Sequence, residues 1–218
     1  IAIPGLLRAR IASNETAAVG TLRTLSTSEA QFQSAAIVDM DVDGTGEFGF
    51  LQELAGTTNY RIFDGVAVGV SSAPTSPAFV TSVLGTTANS NGGYAGKSGY
   101  TFRCWLPTDL AVAEPEIVGP AVGNPNFAND QEVRFACYAW PASLGNSGNR
   151  AFVVTQQGEV FSTQNKDFQD YNGVTVEPPP EAAFFTNDPA AEDIENLEGQ
   201  LIAGQDAGDS EVWIPAGN

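Results

Sequence analysis

From Gly5 to Ala36 the chain contains nothing that breaks a helix except one tolerated glycine, Gly20. Over that stretch Leu7, Ile11, Ala18, Leu22, Leu25, Phe32 and Ala36 recur at spacings of three, four and seven, which gathers them into one apolar stripe. A helix of that extent runs about 48 Å, longer than a small domain is wide. Part of it must pack on a body and part must protrude. Pro4 suits the first helical position or a kink in a longer helix. The opening Ile1-Ala2-Ile3-Pro4-Gly5-Leu6-Leu7 reads as the tail of an apolar segment whose beginning is missing, because the run is too short for a signal peptide or a membrane span.

Directly behind the helix stands Asp39-Met40-Asp41-Val42-Asp43-Gly44-Thr45-Gly46-Glu47. Asp39, Asp41 and Asp43 followed by Gly44 match the first half of a calcium loop. Alternate residues of a tight turn aim their carboxylates at one point, and the glycine supplies the bend. Thr45 offers its backbone carbonyl, and Glu47 ligates directly or through water. Phe50 occupies the position of the bidentate Glu of an EF-hand, and Glu53 comes three residues later, so the loop is a shortened one. Converging carboxylates repel without a cation, which makes calcium the expected cofactor, bound as a structural clamp; a solvated acidic turn is the alternative.

Residues 57–99, rich in Ser, Thr, Gly, Asn and Pro, read as a long connection holding one or two small elements. Strands are expected near Tyr100–Leu106, Val133–Trp140, Ala151–Thr155 and Glu159–Ser162, the last two joined by a hairpin at Gln156-Gln157-Gly158. No βαβ alternation occurs, so the fold class is α+β: a long helix packed on an antiparallel sheet of about four strands. Tyr100, Phe102, Cys104 and Leu106 share one strand face, and Val133, Phe135, Cys137 and Ala139 share another. The expectation for Cys104 and Cys137 is a disulfide between neighbouring strands, which implies an oxidising compartment; two buried free thiols are the alternative. Trp105, Tyr138 and Trp140 fall on the opposite faces. They form either a sugar-binding or subunit-contact surface or an apolar patch under a loop or helix.

Three regions follow: residues 1–36, the helix; 37–176, the globular part; and 177–218, a Pro-rich acidic extension opening on Pro178-Pro179-Pro180, with ten acidic residues and no basic one. In the extension Asp188, Pro189, Glu192 and Asp193 are helix-start signals, with Ile194, Leu197 and Leu201 on one side and Gly204 as a stop. Trp213 and Ile214 point to docking on this domain or a neighbour, against the alternative of a disordered acidic tail.

The formal net charge is −17, from 9 basic and 26 acidic residues, which argues against nucleic acid as a partner. Histidine is absent, which removes the Ser-His-Asp and Cys-His arrangements and the usual base near neutral pH. The expectation is a protein without enzymatic activity.

The stretch Ala2-Ile3-Pro4-Gly5-Leu6-Leu7-Arg8-Ala9-Arg10, with Asn14-Glu15, Ala17-Ala18 and Leu22-Arg23-Thr24-Leu25, closely resembles the type IV pilin and type II secretion pseudopilin superfamily. Asp39 to Leu54, Lys97-Ser98-Gly99-Tyr100 with Leu106-Pro107, Tyr138-Ala139-Trp140-Pro141, and Gly148-Asn149-Arg150-Ala151-Phe152 with Gln157-Gly158 are similar to a pseudopilin-like branch. The calcium loop departs from major pseudopilins, which carry theirs near the sheet. The resemblance implies a pilin-like fold and a subunit added by inner-membrane machinery to a helical filament of like copies, at the cell surface or outside it. Leu7, Arg8, Arg10, Ile11, Ala18 and Leu22 would form the assembly face of the helix. It leaves open an extracellular type IV pilus-like filament, a type II secretion pseudopilin, and an adhesive or carbohydrate-binding pilin.

Overall fold

The computed structural model describes residues 3–64, 68–86, 94–107, 114–115, 128–167, 169–184, 197 and 199–217. In chain order the elements are α1 (Ile3–Ser34), α2 (Leu51–Leu54), β1 (Asn59–Phe63), β2 (Val68–Pro74), a 3-10 turn (Ser82–Gly85), β3 (Ala95–Lys97), β4 (Tyr100–Leu106), β5 (Glu114–Pro115), α3 (Ala128–Gln131), β6 (Ala136–Pro141), β7 (Ala151–Thr155), β8 (Val160–Thr163) and β9 (Ile214–Pro215). The architecture is α+β. The main sheet is antiparallel in the order β3-β4-β6-β7-β8-β9, with β5 paired to β4 as a seventh strand, so it is larger than the expected four. The extra strands have two or three residues each, too few for alternation to register. A separate β1–β2 hairpin fills the long connection.

At the centre, β4 and β6 run with Cys104 opposite Cys137, and the two are joined by a disulfide. Phe102, Cys104, Leu106, Cys137, Ala139, Phe152 and Val154 face α1, whose Ala18, Leu22, Leu25 and Phe32 complete the same core. The helix is anchored near its middle. Asn14 donates to the Ser147 carbonyl at 2.8 Å, and Glu15 accepts from the Asn149 and Arg150 amides and from Arg150 Nε at 2.9 Å. Gly148 lies in this loop because a Cβ there would collide with the Tyr100 ring. Two ends of the expected stripes fall away. Ala36 is exposed beyond the last helical turn, with φ +46°, and Val133 is exposed in the turn ahead of β6.

The opposite face of the sheet is equally covered. Trp105, Tyr138, Trp140, Val153 and Phe161 form a second core with Tyr171, Phe184, Leu197 and Trp213 of the C-terminal segment. Tyr138 donates to the Pro180 carbonyl at 2.8 Å and meets Trp213 edge-on at 6.0 Å, and Trp140 Nε1 donates to the Gly173 carbonyl at 2.6 Å. Arg103, buried on this face, reaches Glu177 at 2.6 Å and lies over the Tyr94 ring. The extension thus docks on its own domain, and its β9 adds to the sheet edge at β8. Asp188, Pro189, Glu192, Asp193 and Ile194 lie outside the described residues. Leu197 has φ +63°, and residues 199–204 form turns and bends rather than a helix.

Removing this cover should be costly. We expect Trp213→Ala to lower stability by about 3–5 kcal/mol, as for other large-to-small core changes, read from urea unfolding. A loss below about 1 kcal/mol would show that the segment is not coupled to the core.

Candidate functional site

The acidic loop begins where α1 ends. The Glu47 amide bonds the Val38 carbonyl at 3.1 Å, and Gly46 passes so close to the Gln33 carbonyl and Ala36 that a Cβ would collide with both. Within the loop the carboxylates organise the backbone. Asp39 accepts from the Asp43 and Gly44 amides at 3.2 and 3.1 Å, Asp41 from the Asp43 amide at 3.3 Å, and Asp43 from the Thr45 amide at 2.7 Å. Gly44 takes φ +94°, which a side chain resists. Val42, exposed at the tip, is held at φ +61°, an uncommon and strained conformation for a β-branched residue.

This turn brings carboxylate oxygens of Asp39, Asp41 and Asp43 within 4.8 Å of one another. Asp41 also joins Glu47 and Glu132 in a second group of the same span. Glu132, which follows α3, was absent from the sequence reading. Nothing local in the chain links it to the loop, and only the packing of α3 beside the end of α1 brings it there. That packing is held by the Gln33 side-chain amide donating to the Glu132 carbonyl, and by the Phe48 amide bonding the Gln131 carbonyl at 2.9 Å. Thr45 is exposed and enters the turn through its amide.

Glu47 is fully buried. Its Oε1 accepts from the Met40 amide at 2.7 Å, while Oε2 has no hydrogen-bond partner among the described residues. Glu132 Oε1 is likewise buried without a partner. Leaving one such acceptor unmet costs about 1–3 kcal/mol, and more if it is charged. Burial pushes the Glu47 carboxyl up from its ordinary value, against the pull of the Met40 hydrogen bond. Burial also pushes Glu132 up to about 7, helped by the negative charges of Asp43, Asp41, Glu47 and Asp39. Among the described residues, none of these five carboxylates is in an ion pair. The nearby Arg61 commits its guanidinium to Glu53 at 3.0 Å, Gln131 and the Phe48 carbonyl. An all-oxygen, strongly negative donor set suits a hard divalent cation such as calcium rather than zinc or copper.

The remaining expected site residues divide. Leu7, Arg8 and Arg10 are exposed and Ile11 is half-buried, but Ala18 and Leu22 are fully buried against the molecule's own sheet. Those two cannot contact another copy, because the helical stripe turns inward from Glu15 onward. Trp105, Tyr138 and Trp140 are buried beneath the C-terminal segment, so they form core rather than an exposed platform. Alternation identified their common face correctly and could not reveal that this face is covered.

Residues 4–170 match the family described as Protein of unknown function (DUF2950), a span from the first turns of α1 to just beyond β8. The chain belongs to this family. The match ends ahead of Tyr171, so most of the second-face cover lies outside it. Neither a curated protein nor a solved structure matches.

Glu29 adds its own contribution to the pH dependence at this end of the core. Glu29, fully buried beside the disulfide, accepts from the Gly49 amide at 2.9 Å, and its Oε1 is unpartnered. Burial raises it from 4.5 to about 8, opposed by the Gly49 bond. The folded state therefore holds a proton that the unfolded chain releases. That contribution is complete below about 4.5 and is lost as pH climbs through about 8. Urea midpoints in chelator should fall over this window, by at most about 1.4 kcal/mol per pH unit for one proton. Glu29→Gln should flatten the slope; an unaltered slope would mean that Glu29 is ionised in the fold.

Proposed function

We propose that this chain is a structural subunit of a type IV pilin-like filament, assembled through the exposed start of α1 and stabilised by calcium at the loop behind it. The observation that carries the reading is the division of α1. Residues 5–10 are exposed, with Leu6 at 75% and Leu7 at 38%, whereas from Glu15 onward one side of the helix is buried on an antiparallel sheet. Leucines left in water at the tip of an otherwise packed helix are suited to contact between copies. Further support comes from the two sequence stretches of pilin resemblance around Asn14-Glu15 and Asn149-Arg150, which meet in the fold as one anchor.

The adhesive alternative loses the three aromatic residues on which it rested. A type II secretion pseudopilin uses the same helix and remains the second reading. In the native cell, filaments of this subunit on the exterior support the first reading, and loss of enzyme secretion on deletion supports the second.

Charge reversal at the tip tests the assembly face. Arg8→Glu with Arg10→Glu should abolish filaments in electron micrographs yet change stability by no more than about 0.5 kcal/mol. Undiminished filaments would remove these residues from the interface. Calcium is tested by melting. For a dissociation constant of about 10⁻⁴–10⁻³ M, a concentration of about 10 mM stabilises by about 1.4–2.7 kcal/mol, a rise of about 3–10 °C for a chain of this size. A melting curve indifferent to calcium and chelator would end the calcium reading.

A further inference from the structure

We infer that the calcium ion is held between Asp41, Glu47 and Glu132, with Glu132 supplying the carboxylate that the shortened loop lacks, and that the ion ties α3 to the exit of α1. This rests on the reading of the acidic loop as a calcium site and assigns that site a different centre and a distant ligand.

Oxygens of these three side chains lie within 4.8 Å of one another. Two oxygens bound to one calcium at 2.3–2.6 Å are separated by at most about 5 Å, so the spacing suits a shared ion. The deciding contrast is in how the oxygens are occupied. Both oxygens of Asp39 and one of Asp43 accept loop amides, so the turn itself accounts for them. Glu47 belongs to the second group, and its Oε2, on a side chain wholly removed from water, has no hydrogen-bond partner among the described residues. Glu132, the member of the group remote in sequence, also has a buried oxygen, Oε1, without a partner among the described residues. Asp41 has one oxygen on the Asp43 amide and the other uncommitted. Buried acceptors without a partner therefore lie at Glu47 and Glu132, in the group that Asp41 completes, while Asp39 spends both oxygens on the turn.

Three separate parts of the chain meet at this point. Asp41 and Glu47 belong to the loop, Glu132 follows α3, and Gln33 of the last turn of α1 donates to the Glu132 backbone carbonyl. An ion here bonds loop and α3 together directly beneath the end of α1.

The test uses the full chain with calcium alone as the probe. Titration calorimetry should show one calcium bound by the wild type. Glu132→Gln should weaken binding at least about tenfold, and Asp39→Asn should weaken it less. Hydrogen exchange on the wild type should slow on calcium addition in residues 128–134 as well as 38–48, a measurement that does not depend on any variant folding. Wild-type affinity in Glu132→Gln together with calcium protection confined to 38–48 would overturn this assignment and leave the calcium loop standing. No calcium binding by the wild type up to about 10 mM, well above the usual extracellular range, would overturn both.

Discussion

A sheet that is apolar on both faces must be covered twice, and the rest of this molecule follows from that requirement. In β4 every residue from Tyr100 to Leu106 is buried, and in β6 every residue from Ala136 to Pro141. One face is closed by α1 and the other by the C-terminal segment, giving three layers around a central disulfide. Several polar residues caught on the second face are matched individually. Arg103 has Glu177, and Asp209 accepts from Tyr171 at 2.7 Å, from the Glu211 amide and from Trp213. The acidic character of the extension is thus partly structural, since several of its carboxylates are acceptors in the second core.

The junction below α1 follows a different logic. There the buried cation Arg61 bridges Glu53, Gln131 and the Phe48 carbonyl, and Gln131 passes the connection on to the Pro107 carbonyl at 2.7 Å. Among the described residues, none of the hydrogen bonds of this network goes to the Glu47 or Glu132 carboxylate. This network and the acidic loop lie against the same end of the helix. Buried carboxylate oxygens without a partner among the described residues set Glu47 and Glu132 apart from the general excess of acid on this chain.

Much of the fold was legible because its signals are local. Helical spacing gave α1 to within two residues at either end, and alternation gave β4 and β7 with their observed limits. Facing cysteines gave the pairing of β4 with β6. The unread parts depend on distance along the chain. β9 has two residues and earns its place only by pairing with β8, and Glu132 becomes a ligand candidate only through the packing of α3. Alternation assigns side chains to a face without saying what lies over it, so Trp105, Tyr138 and Trp140 had two readings until the C-terminal segment was placed. Asp39 to Glu47 was readable as a turn with converging carboxylates, but not which oxygens the turn itself would consume.

The position of Trp213 has a consequence for the order of folding. Synthesis runs from the N-terminus, so α1 and the strands through β8 exist before the residues that seal their second face. Until Trp213 and its neighbours emerge, Tyr138, Val153 and Phe161 lack that partner and present an apolar surface to the surroundings. Sealing of the second face therefore waits for Trp213, and a variant lacking that residue is an unfinished core rather than a slightly smaller protein.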